Sequence, residues 1–331
     1  MFVVVFGDYM STVKLQASMV GTVAAIIGLS TLFLTIILSL FDALNLYTLA
    51  LTIVFINVLQ WLIAPYLIDA MYRVRKVSRV EEPELYNMVD RMSQKSNIKP
   101  PTLVIAKIPI PNAFAYGSPL SGTRVAITSG LLNTLENEEI EAVIGHELGH
   151  LRHHDVQVMM FVSILPALFY YLGFSMMWSS AYSRRSERDG GNSLVLIGLL
   201  SILLYWILTF FTLYLSRLRE YYADRHSITV VDDGSRKLSE GLVKIVEWTE
   251  RTRRQNRNTY NMSSLKTLFI SDPDNAARDL KEINQTNIWR RDQDLVARYM
   301  NRRVTSTDKF VELFSTHPNM VKRLRALQQL S

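Results

Sequence analysis

The chain has 331 residues, 49% hydrophobic and 20% charged, with a mean hydropathy of +0.11 and a formal net charge of +6. It contains no cysteine, which excludes a disulfide scaffold, a thiol nucleophile and any cysteine-held metal or iron–sulfur cluster. Any metal must therefore sit on His, Asp or Glu. The apolar residues come in blocks: residues 15–41, 43–68, 156–183 and 190–216 contain no Asp, Glu, Lys or Arg. Each block is long enough for a tilted helix across ~30 Å of hydrocarbon.

The first two blocks are separated by Asp42 alone, which predicts a tight transmembrane hairpin over 1–68, with spans at about 18–41 and 45–68. Its long apolar core and its flank, with Asp8 and a single Lys14, read as a retained anchor instead of a cleaved signal peptide. Asn57 and Gln60 share one face of the second span, where interhelical hydrogen bonds are expected. Region 69–155 reads as mixed α and β. Leu85, Met88, Val89 and Met92 mark an amphipathic helix over 82–96, which Pro100-Pro101 breaks. Segments 102–106 and 124–128 read as short strands, and 112–117 alternates like a third. A further helix starts near Asn137, its expected cap, with Glu138 and Glu139 in the first turn. Region 156–216 predicts a second hairpin, with spans at about 157–180 and 192–216. Region 217–331 reads as helical and basic, with loops or irregular helices over 251–310 and amphipathic faces at 238–246 and 318–330.

An even number of spans separates the three polar regions, so all lie on one side. Lys14, Arg73, Arg75, Lys76, Arg79, Arg152, Arg217, Arg219 and Arg225 border the membrane there, against Arg184, Arg185 and Arg188 opposite. The positive-inside rule puts the polar regions in the cytoplasm, and the same cations can meet anionic headgroups of the bilayer. The sequence has no nucleic-acid motif, so the positive charge gives no reason to expect a nucleic-acid partner.

The chemistry concentrates in His146-Glu147-Leu-Gly-His150. On a helix the two histidines share a face and can bind one Zn²⁺ at ~2.0–2.1 Å each. Glu147 is placed to take a proton from the attacking water. No third histidine stands at the metzincin position, so a carboxylate is expected as third ligand. Glu220 and Asp224, four apart, supply candidates: one can bind metal while the other orients a histidine through its second ring nitrogen. Two spans between His150 and Glu220 return the chain to the same side. His153 and His154 read as polar or headgroup-facing, and His226 as a bystander or a residue behind the ligands.

His146-Glu-Leu-Gly-His150 followed by Glu220-Tyr-Tyr-Ala-Asp224 resembles the membrane zinc metallopeptidases that include the heat-shock protease HtpX and the type 1 CAAX prenyl protease. Pro111-Asn112-Ala113-Phe114-Ala115 is similar to the family's Asn-Ala-aromatic strand, and His317-Pro318 with Arg323 to its late His-Pro motif. The resemblance covers about 69–225 well and 315–330 briefly. The four-run plan is similar to HtpX, whereas prenyl proteases of this type have more spans.

The resemblance implies a mostly α, polytopic membrane protein of about four transmembrane helices, with a gluzincin-type α+β metalloprotease domain containing a small sheet. That domain would be assembled from 69–155 and 217–331. It also implies one zinc ion on His146, His150 and Glu220, with Glu147 as general base and Asp224 behind the ligands. His317 and Arg323 would stabilise the oxyanion, and Asn112, Ala113, Phe114 and Ala115 would bind the substrate backbone. The implied partners are polypeptides, misfolded membrane proteins among them, at the cytoplasmic face of the plasma membrane, and an oligomer is left open. The alternatives are a prenyl-protein protease, a non-catalytic membrane scaffold or chaperone, and a small transporter. The charge-free spans argue against the last.

Overall fold

The computed structural model describes residues 45–183, 191–255 and 292–330. The first apolar run, 15–41, and the link 184–189 lie outside the described residues. Three described helices are long and apolar enough to cross a membrane, over Tyr47–Met71, Asp155–Ser180 and Val195–Val230.

In chain order the elements are α1 (Leu46–Met71), β1 (Val74–Lys76), α2 (Pro83–Lys95), β2 (Thr102–Ala106), β3 (Ala113–Ser118) and β4 (Gly122–Thr128). There follow α3 (Ser129–Thr134), α4 (Asn137–Arg152), α5 (Asp155–Ser183), α6 (Gly191–Val230), α7 (Gly234–Gln255), α8 (Asp292–Asn301), α9 (Ser306–Glu312) and α10 (Met320–Gln329). The chain divides into two compact units. Of the described residues, one holds those up to Trp61 with those in Gln157–Tyr214; the other holds Leu62–Val156 and those from Leu215 on.

In the first unit, α5 and α6 cross at two glycines. A Cβ on Gly173 would lie 2.7 Å from the Gly198 carbonyl oxygen, so only small residues permit this backbone approach. Among the described residues, Asn57 Nδ2 donates to the Ile53 carbonyl of its own helix, at 2.8 Å, an acceptor one turn back; the first span of the expected hairpin lies outside the described residues.

The second unit is built around a mixed four-stranded sheet in the order β1-β2-β4-β3. β1 and β3 run antiparallel to their neighbours, while β2 and β4 are parallel. The strand period of two sorts its residues onto two buried faces. Leu103, Ile105, Val125 and Ile127 face a core shared with Ile144, Leu148, Leu238 and Leu242 of the helices. Val104, Ala106, Phe114, Tyr116 and Ala126 pack on the other face with Tyr72.

Two expectations need correction, and one strand was not read from the sequence. The cap of α4 is Glu136, not Asn137. Glu136 and Glu139 form a capping box, and the Asn137 amide instead donates to Glu84. The stretch 251–310 contains regular helices: Leu295 and Tyr299, one turn apart, are both buried and carry α8 onto the core. β1, with two charged residues in three, has no apolar alternation from which to be read, and it is held by pairing with β2.

Candidate active site

α4 carries His146, Glu147 and His150, and α6 carries Glu220 and Asp224. The two helices meet where α4 has no side chains. A Cβ on Gly149 would stand 2.9 Å from the Ala223 Cα, and one on Gly145 3.0 Å from Val231 Cγ2. The Ser227 hydroxyl crosses the same seam to the Ala142 carbonyl at 2.6 Å. The glycine between the two site histidines thus lets α6 come close enough to set Glu220 against them.

His146 Nε2 and His150 Nε2 lie 3.2 Å apart. Glu220 Oε2 is 3.7 Å from His146 Nε2, and Oε1 is 3.5 Å from His150 Nε2. All three ligand atoms fall within 4.8 Å of one another. Each imidazole has a carboxylate on its other nitrogen. Asp224 Oδ1 is 2.9 Å from His146 Nδ1, and Asp155 Oδ2 is 2.6 Å from His150 Nδ1. These carboxylates fix Nδ1–H on both rings, so both Nε2 atoms turn lone pairs toward Glu220. Glu220 Oε2 is itself buried and accepts no hydrogen bond.

Three acceptors converging without a donor among them are the chemistry of a cation site. Glu147, Asp155, Glu220 and Asp224 are buried around it, with the guanidiniums of Arg323 and Arg219 beside them. The residues present fit a metal.

Arg323, 1% exposed, holds this arrangement together. Its Nε and Nη2 donate to the two oxygens of Asp224, each at 2.6 Å, and Nη1 lies 3.3 Å from Glu220 Oε2. Nη2 is also 3.3 Å from both ring nitrogens of His146. Burial disfavours the guanidinium charge, but Asp224 and Glu220 outweigh it and keep Arg323 more firmly protonated than usual. His317 enters from the loop before α10, with Nε2 3.8 Å from Glu220 Oε1 and Nδ1 against the Thr316 hydroxyl. The cap of α10 is Asn319.

Burial pushes the Glu147 carboxyl up, against the opposing pull of His150 and His146. Its Oε2 accepts the Ala115 N–H at 2.8 Å. Burial lowers His150, yet its Asp155 hydrogen bond and the Glu220 and Glu147 carboxylates leave it raised overall.

β3 is the outer strand of its sheet. Asn112 lies one residue before it, and its carbonyl accepts the Thr128 N–H. Alternation along an antiparallel pair then turns the backbones of Ala113, Ala115 and Gly117 away from β4, toward the open edge. The Phe114 side chain points to the sheet face opposite that of Ala113 and is buried beside Tyr72.

The remaining histidines stand apart from the convergent ligand atoms. His153 caps the end of α4, with its ring 5.9 Å from Tyr222. His154 has a φ of +55° in the turn before α5, so it does not continue the helical row. His226 Nε2 is 2.8 Å from the Ser96 hydroxyl.

Asp155 escaped the sequence reading, as did the packing roles of Gly145, Gly149 and Ala223. One available signal was that two histidine ligands call for two carboxylate partners, and only Asp224 had been named.

Residues 79–331 match the model of Peptidase family M48. This chain belongs to family M48. It is 35% identical to a protein named Protease HtpX homolog from Thermoplasma acidophilum, over 96% of each chain. It is likewise 35% identical to the homolog from Picrophilus torridus, over 93% of this chain and 95% of that one. Protease HtpX homolog 2 of Sulfurisphaera tokodaii is 34% identical over 96% and 97%. Among solved structures, S. mikatae Ste24p aligns with a TM-score of 0.53 at 17% identity, covering 95% of this chain and 67% of that one, which makes the shared feature the fold. The M48 chain is accordingly an HtpX-type membrane metallopeptidase, and His146, His150 and Glu220 form its candidate metal site.

Proposed function

We propose that this M48 peptidase is a zinc endopeptidase whose ion is held by His146, His150 and Glu220. The observation that carries the reading is the convergence of three ligand atoms within 4.8 Å of one another beside a carboxylate, Glu147, that is itself tied to an open sheet edge. A nitrogen-and-oxygen donor set of this kind suits zinc. When bound, the ion supplies Lewis acidity toward the scissile carbonyl and makes water a stronger acid.

The chain's own residues do the rest. A peptide lies extended along the outer edge of β3, pairing with the backbones of Ala113 and Gly117 on either side of the Ala115–Glu147 bond. Glu147 takes a proton from the attacking water and returns it to the leaving amine. His317 Nε2 donates to the oxyanion that develops at the carbonyl. Arg323 acts through Asp224 and Glu220 as a positioning residue, because its Nε and Nη2 are already engaged. Asp224 and Asp155 orient the two imidazoles.

Recognition through backbone suits many sequences, so unfolded and misfolded polypeptides, membrane proteins among them, are the proposed substrates, and protein quality control the proposed process. The distribution of Lys and Arg supports a site at the cytoplasmic face of the plasma membrane.

The test compares purified wild type and Glu147→Ala in detergent on an unfolded protein, with and without chelator. Cleavage by wild type alone, abolished by the chelator and restored by Zn²⁺, is expected. Equal cleavage by both proteins would overturn the proposal. Cleavage confined to a farnesylated peptide would favour a prenyl-protein protease instead.

A further inference from the structure

The segment leading to His317 carries an apolar tip that the site does not use. α9 is seven residues long, opened by a capping box between Thr305 and Asp308. Both acids of the segment 302–313 turn inward. Asp308 is buried against Arg302, and Glu312 is buried with the Asn319 N–H and Lys322. The side chains that turn outward are of another kind. Arg303 and Lys309 are exposed, and Phe310 and Leu313 are 51% and 49% exposed. Phe310 and Leu313 are three apart at the end of one helix and share a face. Half-exposed large apolar residues beside cations, with no exposed acid among them, are the signature of a surface that enters a bilayer interface.

A second observation identifies what covers this tip. Arg217 is the first charged residue after the uncharged run 190–216. One of its guanidinium nitrogens, Nη1, donates to the carbonyls of Glu312 and Ser315, each at 2.8 Å, and lies 3.4 Å from that of Leu313. The backbone of the tip is therefore fastened to the residue at which the spanning helix regains charge, which is where a helix leaves hydrocarbon.

We infer that α9 and Leu313 form an interfacial foot. Phe310 and Leu313 enter the bilayer at headgroup depth, and Lys309 and Arg303 meet anionic lipid phosphates. Through Arg217 and the loop at 312–317, the foot sets the height of His317 over the membrane surface.

The absence of cysteine makes the test direct. Phe310→Cys and Leu313→Cys each accept one nitroxide label, at a position whose side chain is already half exposed. The labelled full-length proteins are reconstituted in vesicles of phosphatidylcholine and phosphatidylglycerol, and spin relaxation by oxygen is compared with relaxation by a water-soluble nickel chelate. At both positions oxygen is expected to act more strongly than the chelate, which is the mark of lipid. Stronger relaxation by the chelate would place the tip in water and overturn the inference. Weak relaxation by both would mean that protein covers the tip, whether a second copy, a substrate or this chain, and would overturn it equally. Neither readout depends on bound metal or on activity.

Discussion

Replacing Asp155 by Ala removes the acceptor that holds His150. The carboxylate is buried; its Oδ2 is 2.6 Å from Nδ1 and 3.1 Å from Arg219 Nε. A hydrogen bond to a charged group contributes about 1.5–3 kcal/mol, which is roughly a 10–150-fold change in an equilibrium constant. Partners of metal-binding imidazoles in general contribute about 10–100-fold in metal affinity. The expected result is a zinc Kd raised roughly 10–100-fold, measured by competition with a chromophoric chelator on the purified protein. Arg219→Gln is the control. It keeps the His150–Asp155 bond and removes only the Arg219 guanidinium beside it, so its Kd should move less than that of Asp155→Ala. An unchanged Kd in Asp155→Ala, with helix content intact by circular dichroism, would refute the argument that this carboxylate orients a ligand.

Three other outcomes follow from the same geometry. Gly149→Ala forces a Cβ against the Ala223 backbone; it should cost about 1–3 kcal/mol by overpacking and lower both the unfolding temperature and zinc retention. Asp69→Ala should destabilise the protein more than Tyr116→Phe in thermal unfolding. Asp69 accepts the Tyr116 hydroxyl at 2.5 Å and also pairs with the buried Arg124. Its loss strands that guanidinium, at about 3–5 kcal/mol, whereas losing the hydroxyl costs about 1–3 kcal/mol. Arg217→Ala should lower kcat more than it raises KM, because it frees the loop that carries His317 and leaves the β3 edge intact; Arg217→Lys, which keeps a donor, should recover part of the loss.

The candidate ligand set was legible because its spacing is local. His146 and His150 are one turn apart, and so are Glu220 and Asp224, and a helix is enough to aim each pair. What joins the pairs was harder to read. The close approach depends on Gly145 and Gly149, which in a sequence look like weak points of a helix. In the fold they are where α6 packs. Asp155 was missed for a related reason. It lies beyond the end of α4, past the left-handed residue His154, so helical periodicity does not point it back at His150. Phe114 shows the opposite limit. The alternation of 112–117 is that of a strand, but only the sheet order tells which face is core and that the outer edge is open. Arg323 was placed near the site by resemblance; its fork on Asp224 became visible only when α10 packed.

In the proposed function, two stretches of chain, separated by two apolar helices, hold one metal ion through two imidazoles and a carboxylate. X-ray absorption at the zinc edge, on protein loaded with one equivalent of Zn²⁺, reads that coordination shell. The expected shell holds nitrogen and oxygen only, at ~2.0–2.1 Å, with multiple-scattering features of two imidazoles in wild type and one in His150→Ala. A spectrum with no imidazole, or one unchanged by His150→Ala, would contradict it.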